Sequence, residues 1–130
     1  KKFDIVIVDA PSTSIGTIRR NPEIFFRKHP PDFNKITLLQ TKLLEKAKAL
    51  VKNKGIIVYM VCSFFHLEGG NQIDKFLIKN KNFKIVKFKT DDNEYKKLIN
   101  KKGFFETLPI NLRKQFLIDG FFAAQLKKDD

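Results

Sequence analysis

The chain has 130 residues, 42% of them hydrophobic, and 26 basic against 14 acidic side chains give a formal net charge of +12. That length suits one domain able to bury roughly two-thirds of its unfolded surface, and that apolar content excludes a largely disordered chain. A single cysteine excludes an internal disulfide, two histidines offer no metal-ligand cluster, and no apolar run reaches the roughly 18 residues of a membrane span. No signal-peptide pattern opens the sequence, so a reducing cytoplasm is the expected location. The excess of Lys and Arg points to a polyanionic partner such as nucleic acid, beside the plainer reading of lysine as a solubilising surface residue. The chain opens on Lys1 and its only methionine is Met60, so it is expected to be a piece of a longer protein.

Lys2 to Val8, "KFDIVIV", is a β-branched run with the length of a strand buried on both faces. Loop chemistry follows from Pro11 through Pro31. A helix is predicted from Asp32 or Asn34, either of which can cap it, with Ile36, Leu39, Leu43, Ala47, Leu50 and Val51 as its apolar stripe. Gly55 is the expected stop. Ile56 to Val61, "IIVYMV", reads as a second buried strand, and two strands joined by a helix make a βαβ unit. A second helix is expected around Glu68 to Lys79, with Ile73, Phe76 and Leu77 as its apolar face. Phe83 to Lys89 alternates strictly and suits a strand nearer the sheet edge. Residues 90–118 read as polar and irregular, and Phe121 to Leu126 as a final strand. The order β-α-β-α-β-loop-β specifies an α/β layer fold with a mostly parallel sheet and helices on its faces.

In open α/β sheets ligands bind outside the carboxyl ends of the strands. Asp9 ends the first strand and Cys62 the second, so neighbouring strands would bring a carboxylate and a thiol to one crevice. Two readings are open for each. Cys62 is a buried structural cysteine, or a nucleophile whose pKa is lowered by nearby positive charge or a helix N-terminus. Asp9 is a turn former in "DAPS", or a functional carboxylate. Arg19 and Arg20 are a solvated pair, or two guanidinium groups suited to bidentate phosphate contact. The "SIG" of this loop is not a phosphate-binding P-loop, because no G-K-[ST] follows.

Three segments carry a resemblance. "DAPSTSIGTIRRNPE", "VYMVCS" and "DGFFAAQLKK" together resemble the Sun family of RNA cytosine-5 methyltransferases. That family has a D-A-P-C-S-x-x-G-x-x-R-R-x-P motif, a T-C-S motif ending the next strand, and D-G-F-F near the C-terminus. Asp9, Ala10, Pro11, Gly16, Arg19, Arg20 and Pro22 match the first motif. Cys62 and Ser63 match the second, and Asp119 to Phe122 the third. Glu68 falls where the family usually carries an acidic residue after T-C-S, and "ETLP" at Glu106 to Pro109 is also shared.

The resemblance implies the C-terminal half of a Rossmann-like, S-adenosylmethionine-dependent methyltransferase domain, spanning residues 1–130 and lacking the cofactor-binding N-terminal half. It implies methylation of carbon 5 of cytosine in RNA, ribosomal RNA above all, with no metal. Cys62 would be the attacking thiolate. Asp9 would hold the pyrimidine and, with Ala10 and Pro11, border the cofactor, while Arg19, Arg20 and Lys28 would position the RNA backbone. Such chemistry requires the base to leave its stack. Two departures stand out: Ser12 replaces the first motif's cysteine, which the family uses in product release, and Val61 replaces the threonine of T-C-S. They favour an alternative, a catalytically impaired RNA-binding module on the same scaffold. A DNA cytosine methyltransferase is disfavoured, because its nucleophile follows a Pro-Cys motif absent here.

Overall fold

A computed structural model of the chain describes residues 1–112 and 117–130. Strands β1 (Phe3–Asp9) and β2 (Val51–Val61) pair in parallel and are joined by helix α1 (Phe33–Leu50). Helix α2 (Gly70–Lys79) then leads to β3 (Phe83–Val86), a short helix α3 (Asn93–Lys96), β4 (Phe105–Thr107) and β5 (Phe121–Lys128). The sheet order is β1-β2-β5-β3, with β4 also pairing β5. β5 is antiparallel to β2, β3 and β4, so the other four strands run one way and β5 opposes them from the middle. The expected mostly parallel sheet holds for strand direction, while among the described residues β1 and β2 are the one parallel pair.

The pleat gives the sheet two unlike faces. Val8, Ile57, Tyr59, Val61, Ala124 and Leu126 point to one side, where Leu44 and Ala47 of α1 and Ile73 and Phe76 of α2 complete a single core. Ile5, Ile7 and Asp9 of β1 point to the other side, beside Val58 and Met60 of β2 and Cys62 just beyond its end. Ile5 and Ile7 are 59% and 63% exposed there. Helices were expected on the faces of the sheet, and among the described residues α1 and α2 cover one of them. β1 is also an edge strand despite an interior strand's composition.

Asp32 caps α1 by accepting the Lys35 N–H, as expected of that position. The predicted stripe holds in part: Ala47 and Val51 are buried and Leu43 packs against the core, while Leu39 and Leu50 are 42% and 37% exposed and the unpredicted Gln40 and Leu44 are buried. Polar Gln40 takes the central buried position because it has buried partners, described below. The helix ends at Leu50, and β2 begins at once, so Gly55 is not its stop. Gly55 lies where a Cβ would come 2.9 Å from the Asp4 carbonyl oxygen, so its task is close approach of β2 to β1. Within 90–118, α3 and β4 were not foreseen. Asp92 caps α3 through the Glu94 and Tyr95 N–H groups, a local signal that the polar composition concealed.

Candidate active site

Asp9 lies opposite Met60 in the β1–β2 register, so Asp9, Met60 and Cys62 share the open face at the carboxyl end of the two strands. Beyond β1 the chain stays tied to β2, with the Ala10 N–H donating to the Met60 carbonyl at 3.0 Å. Ser14 then adopts a left-handed conformation (φ 61°) that turns the loop into a short 3-10 segment at Ile15–Thr17. That turn brings the Gly16 N–H to the Cys62 carbonyl at 3.0 Å, while the Gly16 carbonyl accepts the Gly120 N–H at 2.7 Å. A Cβ on Gly16 would stand 1.8 Å from the Gly120 oxygen and 2.9 Å from that of Cys62. All three motif segments therefore cross at one residue that must be glycine.

Glu68 binds the same segments from the core side. Its side chain is fully buried, and its carboxylate accepts from the Thr13 N–H (2.8 Å), the Thr13 hydroxyl (2.7 Å), the Ser63 hydroxyl (2.6 Å) and the Gln40 amide (3.2 Å). Every partner can donate, which suits an ionised carboxylate, an acceptor only. Gln40 also donates to the Pro11 carbonyl at 3.0 Å, which fixes its amide against the loop. The Tyr59 hydroxyl donates to the Glu68 carbonyl at 2.6 Å, and burial, with the nearby Glu68 charge, pushes that phenol far above its ordinary range. Thr13 and Ser63, the neighbours of Ser12 and Cys62, are thus held by one carboxylate.

Cys62 is half-buried and carries a free thiol. Desolvation, then the Asp9 and Asp119 carboxylates, push its pKa up, and Arg20 opposes them. The lowered pKa considered for a nucleophile at this position is not what this arrangement gives, because burial raises it and the charges of Asp9 and Asp119 add to that effect. The arginine pair has a partner that spacing did not reveal. Asp119 receives Arg20 at 2.7 Å and Arg19 at 3.4 Å, and the hydrogen bond and charge of Asp119 raise the Arg20 pKa further. The third motif thereby clasps the first across the mouth of the site, and part of the guanidinium charge is matched within the protein.

The remaining sequence-selected residues lie at or near this place. Ala10 is buried under the loop and Pro11 is exposed beside it. Ser12 accepts the Ser14 N–H at 3.1 Å, a turn-forming bond, and Val61 is fully buried in the core. Lys28 is exposed on the segment that follows the arginine pair. Sequence reading missed Thr13, Gln40 and Asp119 as working members of the site; the one available signal was a glutamine set among leucines in "LLQTKLL". Among the described residues no group of three or more His, Cys, Asp or Glu side chains could hold a metal ion, and no helix is long and apolar enough to cross a membrane.

Comparison with known proteins bears on this geometry. A family model described as 16S rRNA methyltransferase RsmB/F matches residues 1–127. Ribosomal RNA small subunit methyltransferase B of Pasteurella multocida is 33% identical over 98% of this chain and 26% of its own length. The protein of that name from Photorhabdus laumondii is 30% identical over 98% of this chain and 27% of its length. The chain therefore spans about a quarter of the curated relatives it matches. Among solved structures, one described as PH0851 superposes with a TM-score of 0.81 at 36% identity, covering 96% of this chain and 26% of that one. NSun6 from Pyrococcus horikoshii with SFG shares the fold at a TM-score of 0.71 and 22% identity, covering 99% of this chain and 31% of that one.

Proposed function

The chain belongs to the 16S rRNA methyltransferase RsmB/F family, and from that membership we propose that it carries the catalytic residues of an RNA cytosine-5 methyltransferase domain. In this reading the chain is the C-terminal part of the domain. The observation that carries the proposal is the crossing of three motif segments at Gly16, which sets Cys62 and Asp9 on one open sheet face. The comparisons support RNA methylation; the cytosine atom and the covalent route are our reading of the site.

Each side chain then has a task. Carbon 5 of cytosine is a poor nucleophile, so the Cys62 thiolate first bonds to carbon 6 and makes carbon 5 enamine-like. Carbon 5 displaces the neutral thioether from the methyl group, its proton passes to solvent, and elimination from carbon 6 frees the thiolate. Asp9 holds the pyrimidine at nitrogen 3 and passes a proton to it, which neutralises the negative charge that develops on the ring as the thiolate adds. Burial and two carboxylates raise the Cys62 pKa, and Arg20 is the nearby cation that favours its ionised form.

S-adenosylmethionine supplies the electrophilic methyl group when bound. The residues present fit one border of such a molecule: the exposed Asp9 carboxylate stands beside the uncovered apolar strip of Ile7, Val58 and Met60. Asp9, Ala10 and Pro11 would line that border. Arg19, Arg20 and Lys28 would steer RNA phosphates without reading sequence. A second reading, an impaired RNA-binding module, is favoured by Ser12, whose hydroxyl serves a turn and supplies no thiol for product release.

Incubating the intact protein with ribosomal RNA and methyl-labelled S-adenosylmethionine, then digesting to nucleosides, separates the readings. Label in 5-methylcytidine supports the enzyme. Label on another atom, or RNA binding without label, would overturn it.

A further inference from the structure

The segment Pro22–Phe26 forms a short 3-10 turn with no buried residue. Phe25 is 69% and Phe26 85% exposed, the latter more than any other large hydrophobic side chain among the described residues. Nothing in the turn's geometry requires rings there, and an exposed phenyl ring gains nothing from water. Behind Phe25 lies an open cavity of about 310 Å³, lined by Thr13, Ile15, Phe25, Arg27, Phe33 and Phe65 among others. Phe33 and Phe65 meet edge to face at 5.5 Å, so the cavity has ordered aromatic walls.

Its place ties it to the reaction centre. Phe65 follows Cys62 by three residues, and its N–H donates to the Ser63 hydroxyl at 3.1 Å. Thr13 is held by Glu68, and its carbonyl accepts from the Arg27 guanidinium at 3.1 Å. Arg27 lines the cavity, and both it and the next residue, Lys28, are exposed. Glu23 is the only acidic residue of the turn. Aromatic rings exposed beside these cations do not suit an apolar protein partner, which would leave those charges facing a desolvated contact. They suit a ligand that is planar and apolar on its faces and anionic along its backbone.

We propose that Phe25, Phe26 and the cavity behind Phe25 form a stacking site for unpaired RNA bases next to the target nucleotide, with Arg27 and Lys28 on the adjoining phosphates. This rests on RNA being the substrate. Stacking accepts any base, because every base has a π-face, so the site selects unpaired RNA over duplex and is tolerant of sequence. It also gives neighbours of the target somewhere to go when the helix opens around it.

The test is binding of the intact protein to a fluorescent single-stranded RNA and to the same strand in duplex, across a salt series. Phe25→Ala and Phe26→Ala should each weaken single-strand binding roughly tenfold with the salt slope unchanged, and leave duplex binding unaltered. Phe26→Trp should restore affinity, and Arg27→Ala should instead flatten the salt slope. An RNA lacking the flanking bases should bind the wild type as weakly as it binds Phe26→Ala. Wild-type affinity in both alanine variants would overturn the stacking site while leaving the RNA reading intact. The same would follow if the alanine variants changed only self-association, which would assign the rings to a protein contact. A wild type that binds no RNA would overturn both.

Discussion

Replacing Glu68 tests whether one buried carboxylate holds the site together. Glu68→Ala leaves the Thr13 N–H, fixed in its loop, with no acceptor in a place closed to water. The Thr13 and Ser63 hydroxyls can rotate toward other acceptors, and Gln40 retains the Pro11 carbonyl. One stranded buried donor costs about 1–3 kcal/mol, and losing charge-assisted bonds to the others, with a cavity, brings the total to roughly 3–5 kcal/mol. Glu68→Gln keeps the shape. Its NH2 can turn toward the two hydroxyls, which reorient to accept, while its oxygen keeps the Thr13 N–H and Gln40, so the cost falls to about 1–2 kcal/mol. The chain has no tryptophan, so urea unfolding is best followed by far-ultraviolet circular dichroism. The expected order is wild type, then Gln, then Ala, at an unchanged m-value. An alanine variant within about 1 kcal/mol of wild type would refute the clamp, since a buried donor cannot lose its acceptor at so small a cost.

Other consequences concern the thiol, the crossing glycine and the open edge. Because burial, Asp9 and Asp119 raise the Cys62 pKa and Arg20 lowers it, alkylation by iodoacetamide should climb with pH to a midpoint above the ordinary thiol value of about 8.5. Asp119→Asn should speed the reaction at neutral pH and Arg20→Ala should slow it; a midpoint at or below the ordinary value would contradict the assignment. Gly16→Ala drives a methyl group into the Gly120 and Cys62 backbone oxygens, so a loss of about 3 kcal/mol or more in thermal or chemical stability is expected. A wild-type melting curve would place the loop differently. β1 presents an unpaired edge and exposed Ile5 and Ile7, so the isolated 130-residue chain should associate in light scattering and bind S-adenosylmethionine far more weakly than the intact protein. A monodisperse fragment with full cofactor affinity would count against that domain division.

Elements built on strong local periodicity were legible in the sequence. The apolar runs read at Lys2–Val8 and Ile56–Val61 lie in strands β1 and β2, although β2 begins five residues earlier, at Val51; one of the two proposed caps, Asp32, starts α1, and the amphipathic α2 forms within a few residues of its expected bounds. The centre of α1's buried face was not legible, because hydropathy alone cannot anticipate a buried glutamine; Gln40 is inside because Glu68 and the Pro11 carbonyl meet it there. The two strand ends were legible as a place, since Asp9 and Cys62 each close an apolar run. Their electrostatics were not. Asp119 lies at the far end of the chain from Arg19 and Arg20, and only the return of β5 beside β2 brings that carboxylate to the arginines and the thiol. Positive φ at Ser14 and the crossing at Gly16 likewise depend on contacts between distant segments.

The role of Cys62 is the central claim, and covalent trapping addresses it most directly. The intact protein, given S-adenosylmethionine and RNA containing 5-fluorocytosine, cannot lose a proton from carbon 5 and should stall with the RNA bonded to the protein. The adduct should survive denaturing electrophoresis, vanish in Cys62→Ala and persist in Ser12→Ala, with peptide mapping placing the nucleotide on Cys62. An adduct that survives Cys62→Ala, or one mapped to another residue, would contradict the account.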